Sequence, residues 1–283
     1  MKNTVLFLLI IIAGFFACNK IDEPFKKDNG NNPIDTTSNQ KDTVIRKILI
    51  EDFTGHKCGN CPEAHDMLNS LHNTYGDQII SIGIHADYFA QPDASGLFTA
   101  DYRCQTGDEL FAYFNVVVQP IGTVNRTQSQ GSYLFNYTDW PNLVADMAND
   151  TATIKIDMEN NYDASSNSGT IKVNTIFLQD LQQQLMLSLY ITEDSIVSPQ
   201  MFYNPTTHVD TFYVHRHVLR GAINNTWGEQ ITASGGSAND TLTKSYNYTI
   251  NTSWVETKCS IVAFVYDNST LEVLQVEEIK VKE

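Results

Sequence analysis

The stretch "EDFTGHKCGNCPEAH", Glu51 to His65, sets two cysteines two residues apart between an apolar run and an amphipathic one. Upstream, "KILIEDF" is a short apolar run of the kind that forms a buried strand. Downstream, "PEAHDMLNSLHNTYG" places Ala64, Met67, Leu68, Leu71 and Tyr75 at helical spacing, with Pro62 suited to a first helical position and Gly76 to a stop. The next run, "QIISIGIH", puts Ile80, Ile82 and Ile84 on one face at period two. Strand, helix and strand with short joints predict parallel strands and a right-handed crossover, hence an α/β domain.

Two cysteines at the mouth of a helix suggest a specific chemistry. A disulfide oxidoreductase needs one exposed, partly ionised thiol and a second within reach to resolve the mixed disulfide. The unpaired N–H groups and positive dipole end of a helix stabilise a thiolate just before the first turn. With the helix starting around Cys61 to Glu63, Cys58 is the candidate nucleophile and Cys61 the resolving thiol. His56 or Lys57 would lower the Cys58 pKa further if turned inward. Two other readings compete. Cys58, Cys61 and His65 fit a C-x2-C-x3-H zinc spacing, but a structural site needs a fourth ligand and the chain has no second cysteine pair. A permanently oxidised staple remains open in an oxidising compartment. Haem attachment fails, because Pro62 occupies the required histidine position.

The N-terminus supplies the compartment. Lys2 precedes an uncharged apolar run, Val5 to Phe16, that is too short to span a bilayer and ends in "FFAC" at Cys18. This resembles a bacterial lipoprotein signal in the relaxed Bacteroidetes form, with Phe15 where Leu is usual. Residues 1–17 are then a signal peptide, Cys18 is the lipid attachment site, and residues 18–43, rich in Asn, Asp, Lys and Pro, form a disordered tether. "DTT" at Asp35 and "DTV" at Asp42 resemble Bacteroidetes O-glycosylation sites. Loss of Lys2 takes the net charge from -15 to -16, the wrong sign for a nucleic-acid partner. Export makes disulfides possible among Cys58, Cys61, Cys104 and Cys259.

Residues 44–150 hold the α/β pattern, with an inserted excursion "ADYFAQPDASGLFTADYRCQ", short helices in "TGDELFAYFN" and "DWPNLVADMAND", and a turn and strand in "VVVQPIGTVNR". From Thr151 the pattern is strands only. The segments "ATIKIDMENNY", "GTIKVNTIFL", "QQLMLSLYIT", "TFYVHRHVLRGAI", "TLTKSYNYTIN", "CSIVAFVYD" and "LEVLQVEEIKV" predict an antiparallel β-sandwich over residues 151–283. His215 and His217, two apart on a strand, share a face and would need a third metal ligand such as His208; with no carboxylate or cysteine cluster flanking them, they are expected to be sheet-surface histidines. Cys104 and Cys259 are expected to be free and buried, and Trp227 and Gly228 to be structural. No G-x-S-x-G elbow and no Gly-rich phosphate loop appears, and no metal or cofactor is expected.

"EDFTGHKCGNC" resembles the strand, turn and active-site segment of thioredoxins, in which an acidic residue followed by Phe lies six residues before the first cysteine, as Asp52 and Phe53 do here. The resemblance implies that Asp52 is a buried carboxylate exchanging a proton with Cys61. It also implies that Pro120, in "VVVQPIGTV", is a cis-proline facing the cysteine pair, with Gln119, Pro120 and His56 contacting substrate. Lys57 departs from the usual Trp. More closely, "DFTGHKCGNCPEAH", "TVNR", "HRHVLRGAINNTWGE" and "VLQVEEIKV" resemble the Bacteroidetes outer-membrane protein family named for its 28-kilodalton size, from about Val44 to the C-terminus. The resemblance implies a thioredoxin-like domain followed by a β-rich one, anchored by lipid in the outer membrane. The expected function is thiol-disulfide exchange on exported proteins. The alternative is a non-catalytic surface lipoprotein that binds a protein or glycan through its β-sandwich.

Overall fold

In the computed structural model, which describes residues 44–203 and 208–283, strand β1 (Ile48–Thr54) is buried along its whole length. It pairs in parallel with β2 (Ile79–His85), and helix α1 (Cys61–Tyr75) makes the crossover between them. Both strands are buried throughout, β2 as a mostly apolar run and β1 with Glu51 and Asp52 inside it, because both faces are covered. α1 starts with Pro62 in its first turn and stops at Gly76, whose φ of +57° disfavours residues with a Cβ. Short helices α2 (Asp87–Ala90) and α3 (Gln105–Tyr113) follow, then β3 (Ile121–Val124), antiparallel to β1, and α4 (Trp140–Met147).

Beyond residue 150 the described elements are strands and one 3-10 turn. They are β4 (Ile154–Asp163), β5 (Ser168–Phe177), β6 (Leu185–Glu193), four two-residue strands β7 (Ile196–Val197), β8 (Gln200–Met201), β9 (Val209–Asp210) and β10 (Val214–His215), then β11 (Val218–Ala222), β12 (Glu229–Thr232), β13 (Thr241–Thr249), β14 (Cys259–Asp267) and β15 (Val273–Lys280). The protein is thus mostly β with a few helices. The main sheet has the order β15-β14-β6-β11-β2-β1-β3, with β12 also on β6, while β13-β5-β4 form a smaller antiparallel sheet.

The main sheet crosses the boundary expected near Asp150. Val218 of β11 pairs in parallel with Gly83 of β2, and the Gly83 amide donates to His217 O at 2.8 Å. One face carries a core that draws on both halves, from Leu49, Phe53 and Ile82 to Tyr190, Phe264 and Val276, under α3. The other face is divided. Ile48, Ile50 and Val124 pack on α1 and α4, whereas Leu187, Leu189, Ile261 and Ala263 pack on the smaller sheet. The β-sandwich is therefore one small sheet laid on half of a large sheet, and the α/β segment supplies the other half. Residues 1–17, the tether, Cys18, Asp35 and Asp42 lie outside the described residues.

Candidate functional site

β1 ends at Thr54, and the loop Gly55 to Asn60 turns straight into α1. Cys58 N–H donates to Gly55 O at 2.9 Å, and Lys57 N–H donates to Phe89 O at 2.9 Å, which draws the loop onto the chain after β2. Gly55 permits that approach, since a Cβ there would sit 2.5 Å from the Phe89 carbonyl. Cys58 and Cys61 are joined in a disulfide with Cα atoms 5.4 Å apart, at the first residue of α1. Both are covered: Cys58 is 2% exposed and Cys61 0%.

Asp52 is 0% exposed, and neither of its carboxylate oxygens has a hydrogen-bond partner in the structure. The His65 ring, one turn into α1, lies beside it, with Nε2 3.4 Å from Asp52 Oδ2. The same Nε2 lies 3.0 Å from Thr54 Oγ1, and Nδ1 lies 2.5 Å from the Tyr213 hydroxyl. The two ring nitrogens of His65 are thus taken by Thr54 and Tyr213, and the Asp52 carboxyl lies beside the ring without a hydrogen bond to it. His65 does not join the cysteines as a metal ligand, and the two sulfurs are bonded to one another. Among the described residues no group of three or more His, Cys, Asp or Glu is arranged to hold a metal ion.

The Gln119–Pro120 peptide is cis, and β3 begins directly after it. The Gln119 side chain is not offered to a ligand. Its amide is buried and donates to Thr54 O at 3.1 Å and Ala86 O at 3.4 Å, tying the ends of β1 and β2 together. Just before it, Val117 and Val118 are exposed. The His56 ring is also turned inward, between Phe98 and Tyr102, and burial lowers its pKa; its backbone carbonyl accepts from Met201 N–H. Lys57 points away from the sulfurs, with Nζ 2.9 Å from Asp93 Oδ1.

Behind Asp52 lies a small cavity of about 40 Å³ lined by histidines of separate elements: His65 and His72 of α1, His85 of β2, His215 of β10, and His217. Sequence reading named His65 only as a possible zinc ligand, and it placed His215 and His217 on one face of one strand. His217 instead has φ of +51° in a break between β10 and β11. His215 therefore packs against His85 at 5.6 Å, while His217 stacks on His72 at 5.2 Å. Burial pushes His215 down to about 3 and His72 to about 4; His85 falls well below its ordinary value through burial and then the neighbouring His215. These imidazoles are uncharged at neutral pH. The spacing of these five histidines along the chain carries no motif that would have announced the cluster.

Cys104 and Cys259 are unpaired, as expected. Burial raises their thiols to about 11 and about 12, so neither is a nucleophile at neutral pH. Trp227 has a structural place, packed on Tyr113 and over the Arg126 guanidinium.

Residues 107–283 match the family model described as outer membrane protein Omp28. No curated protein matches the chain. Among solved structures it is similar to HBP35 of Porphyromonas gingivalis, at 15% identity and a TM-score of 0.62, over 84% of this chain and 76% of that one. It is also similar to protein AGR_C_4864 of Agrobacterium tumefaciens, at 12% identity and a TM-score of 0.50, over 84% and 96%. A domain of the outer membrane lipoprotein Omp28 of Porphyromonas gingivalis shares 26% identity over 46% of this chain and 89% of that one, with a TM-score of 0.32. HBP35 and AGR_C_4864 have the same overall fold. Since the family match spans more than half of the sequence, the chain belongs to the Omp28 family of outer membrane proteins.

Proposed function

We propose that this outer membrane protein performs thiol-disulfide exchange on exported proteins through Cys58 and Cys61, held in a thioredoxin-like unit of residues 44–150, with a lipid anchor at Cys18. The observation that carries the reading is the disulfide at the first residue of α1, directly after a strand that holds the buried, unbonded Asp52. A carboxylate left without hydrogen bonds inside a protein is costly unless it has a task.

In the oxidising direction a substrate thiolate attacks Cys58 Sγ. The Cys58–Cys61 bond breaks, and Cys61 leaves as a thiolate that takes a proton from the protonated carboxyl of Asp52. A second substrate thiolate then attacks the substrate sulfur of the mixed disulfide, and Cys58 leaves as a thiolate stabilised by the α1 N-terminus. The substrate dithiol has lost two electrons and the protein disulfide has gained them. The reverse sequence, in which Asp52 takes the Cys61 proton, reduces a substrate disulfide.

Equilibrating the protein in glutathione buffers measures the potential of the pair. A value above about -300 mV, with turnover of a reduced, unfolded substrate that Cys58→Ala abolishes, supports exchange. A value below about -300 mV, with no turnover, makes the disulfide a structural bridge and leaves the β-sandwich as the working surface.

A further inference from the structure

β6 and β11 are antiparallel neighbours with Glu193 opposite Val218, a pairing that a two-residue turn would close. Residues 194–217 run between them instead. The excursion lies along the cysteine loop. Met201 N–H donates to His56 O at 2.8 Å, and Tyr203 N–H donates to Gly59 O at 2.9 Å. Donors two residues apart on one edge are the pattern of an extended strand added to an acceptor chain. Between them, the buried Gln200 amide donates to Cys58 O at 2.9 Å and to Gly55 O at 3.3 Å. The Tyr203 ring lies on Gly59, where a Cβ would come within 2.5 Å of Cδ1. The carbonyls on both sides of Cys58 are therefore taken, and its sulfur is shut from solvent although the disulfide sits at a helix mouth.

We propose that Pro199–Tyr203 is a built-in occupant of the substrate groove, and that the substrate is an extended, unfolded stretch of exported polypeptide that displaces it. This rests on the exchange reading above. Main-chain donors from any sequence can replace those of Met201 and Tyr203, and the bare Gly59 accepts a flat side chain where Tyr203 now lies. Exchange is thereby confined to chains able to lie down as a strand and to compete. Folded proteins are refused. Apart from these bonds to the cysteine loop, the regular sheet bonding of the occupant is the two-residue pair β8 with β9.

The test uses the full chain carrying Cys61→Ser and a synthetic unstructured peptide with one cysteine activated as its 2-thiopyridyl disulfide. Cys58 thiolate attacks the peptide sulfur, thiopyridine leaves, and the mixed disulfide is trapped. Deuterium exchange of the Met201 and Tyr203 amides should quicken roughly tenfold or more in the adduct relative to the free thiol form. Tyr203→Ala should speed adduct formation by a similar factor, and the amide readout decides alone where that variant folds poorly. Strap amides that stay protected in the adduct overturn the inference and leave exchange standing. If no adduct forms with either chain and glutathione equilibration shows no exchange, the functional reading fails and the strap with it.

Discussion

Glu51 and Asp52 are consecutive residues of β1, both fully buried and both acidic, and the protein treats them in opposite ways. Alternation along the strand sends Glu51 to the α3 face and Asp52 to the α1 face. Glu51 is met by Arg126 through two hydrogen bonds, Nη2 to Oε1 at 2.6 Å and Nε to Oε2 at 2.8 Å, and by the Thr123 hydroxyl at 2.8 Å. Arg126 in turn lies over the ring of Phe264 at 4.9 Å. Asp52 has only an imidazole at 3.4 Å. A carboxylate with both oxygens hydrogen-bonded holds a structure together, whereas a carboxyl with neither oxygen bonded is not spent in that way.

The largest effect should come from breaking the satisfied side. Arg126→Met leaves Glu51 buried and unpaired, which costs about 3–5 kcal/mol in stability. Urea unfolding should show that loss, and the double variant Glu51→Gln/Arg126→Met should recover at least half of it. If the single and double variants are equally destabilised, the pair is not the junction between the α/β and β-rich halves that its position suggests.

The unsatisfied side should respond with the opposite sign. Asp52→Asn removes a buried carboxyl that has no hydrogen-bond partner in the structure, so stability should rise by about 1 kcal/mol. Exchange should slow by on the order of a hundredfold, with loss of its dependence on pH, because an amide does not carry the proton. Stopped-flow turnover beside urea unfolding separates the two. A variant that is both less stable and equally fast would erase the contrast between the neighbours.

How much of this was legible in the residues can be argued piece by piece. "CSIVAFVYD" is β14 residue for residue, and α1, its proline and its glycine stop lie where periodicity puts them, because each signal is local. β12, "EQIT", has one strong apolar residue and is a strand only because β6 accepts it. "TFYVHRHVLRGAI" read as one strand, but His217 at positive φ splits it, and nothing in a histidine marks that. The pairing of Gly83 with Val218 joins distant parts of the chain, so the sheet that unites the two halves was invisible. At the site, spacing placed Cys58 and Cys61 at the start of α1, and the thioredoxin resemblance placed Asp52 buried on β1, which is where the three residues lie. Gln119 and His56 were assigned as substrate contacts, whereas their side chains are consumed by backbone carbonyls and aromatic rings.

The histidine cavity behind Asp52 gives a third comparison, between folded and unfolded chains. His72, His85 and His215 have folded pKa values depressed from 6.5, to about 4, well below, and about 3 respectively, by burial first. In the window from about 6.5 down to about 4 the unfolded chain binds protons that the folded chain refuses, so stability falls as pH falls. Each such histidine contributes a slope of about 1.4 kcal/mol per pH unit. Urea midpoints should therefore drop between pH 7 and pH 5, and His215→Gln should flatten the decline. A midpoint unchanged across that window would mean the imidazoles are solvated in a way the cavity does not allow.

The smallest effect is expected beside the disulfide itself. Lys57 precedes Cys58 and reads from the sequence as a charge that would favour a thiolate. Its ammonium instead meets Asp93 at 2.9 Å and lies 5.8 Å from the Tyr88 ring centre, and Asp93 is 46% exposed. Exposed pairs of this kind are worth less than about 1 kcal/mol. Lys57→Met should then change stability by less than about that amount and the alkylation rate of reduced Cys58 by less than about threefold. Set beside Asp52→Asn, the measurement separates a charge adjacent in sequence but turned to Asp93 from a carboxyl buried behind the strand. A tenfold slower alkylation in Lys57→Met would reverse that assignment and make the lysine part of the reactive loop.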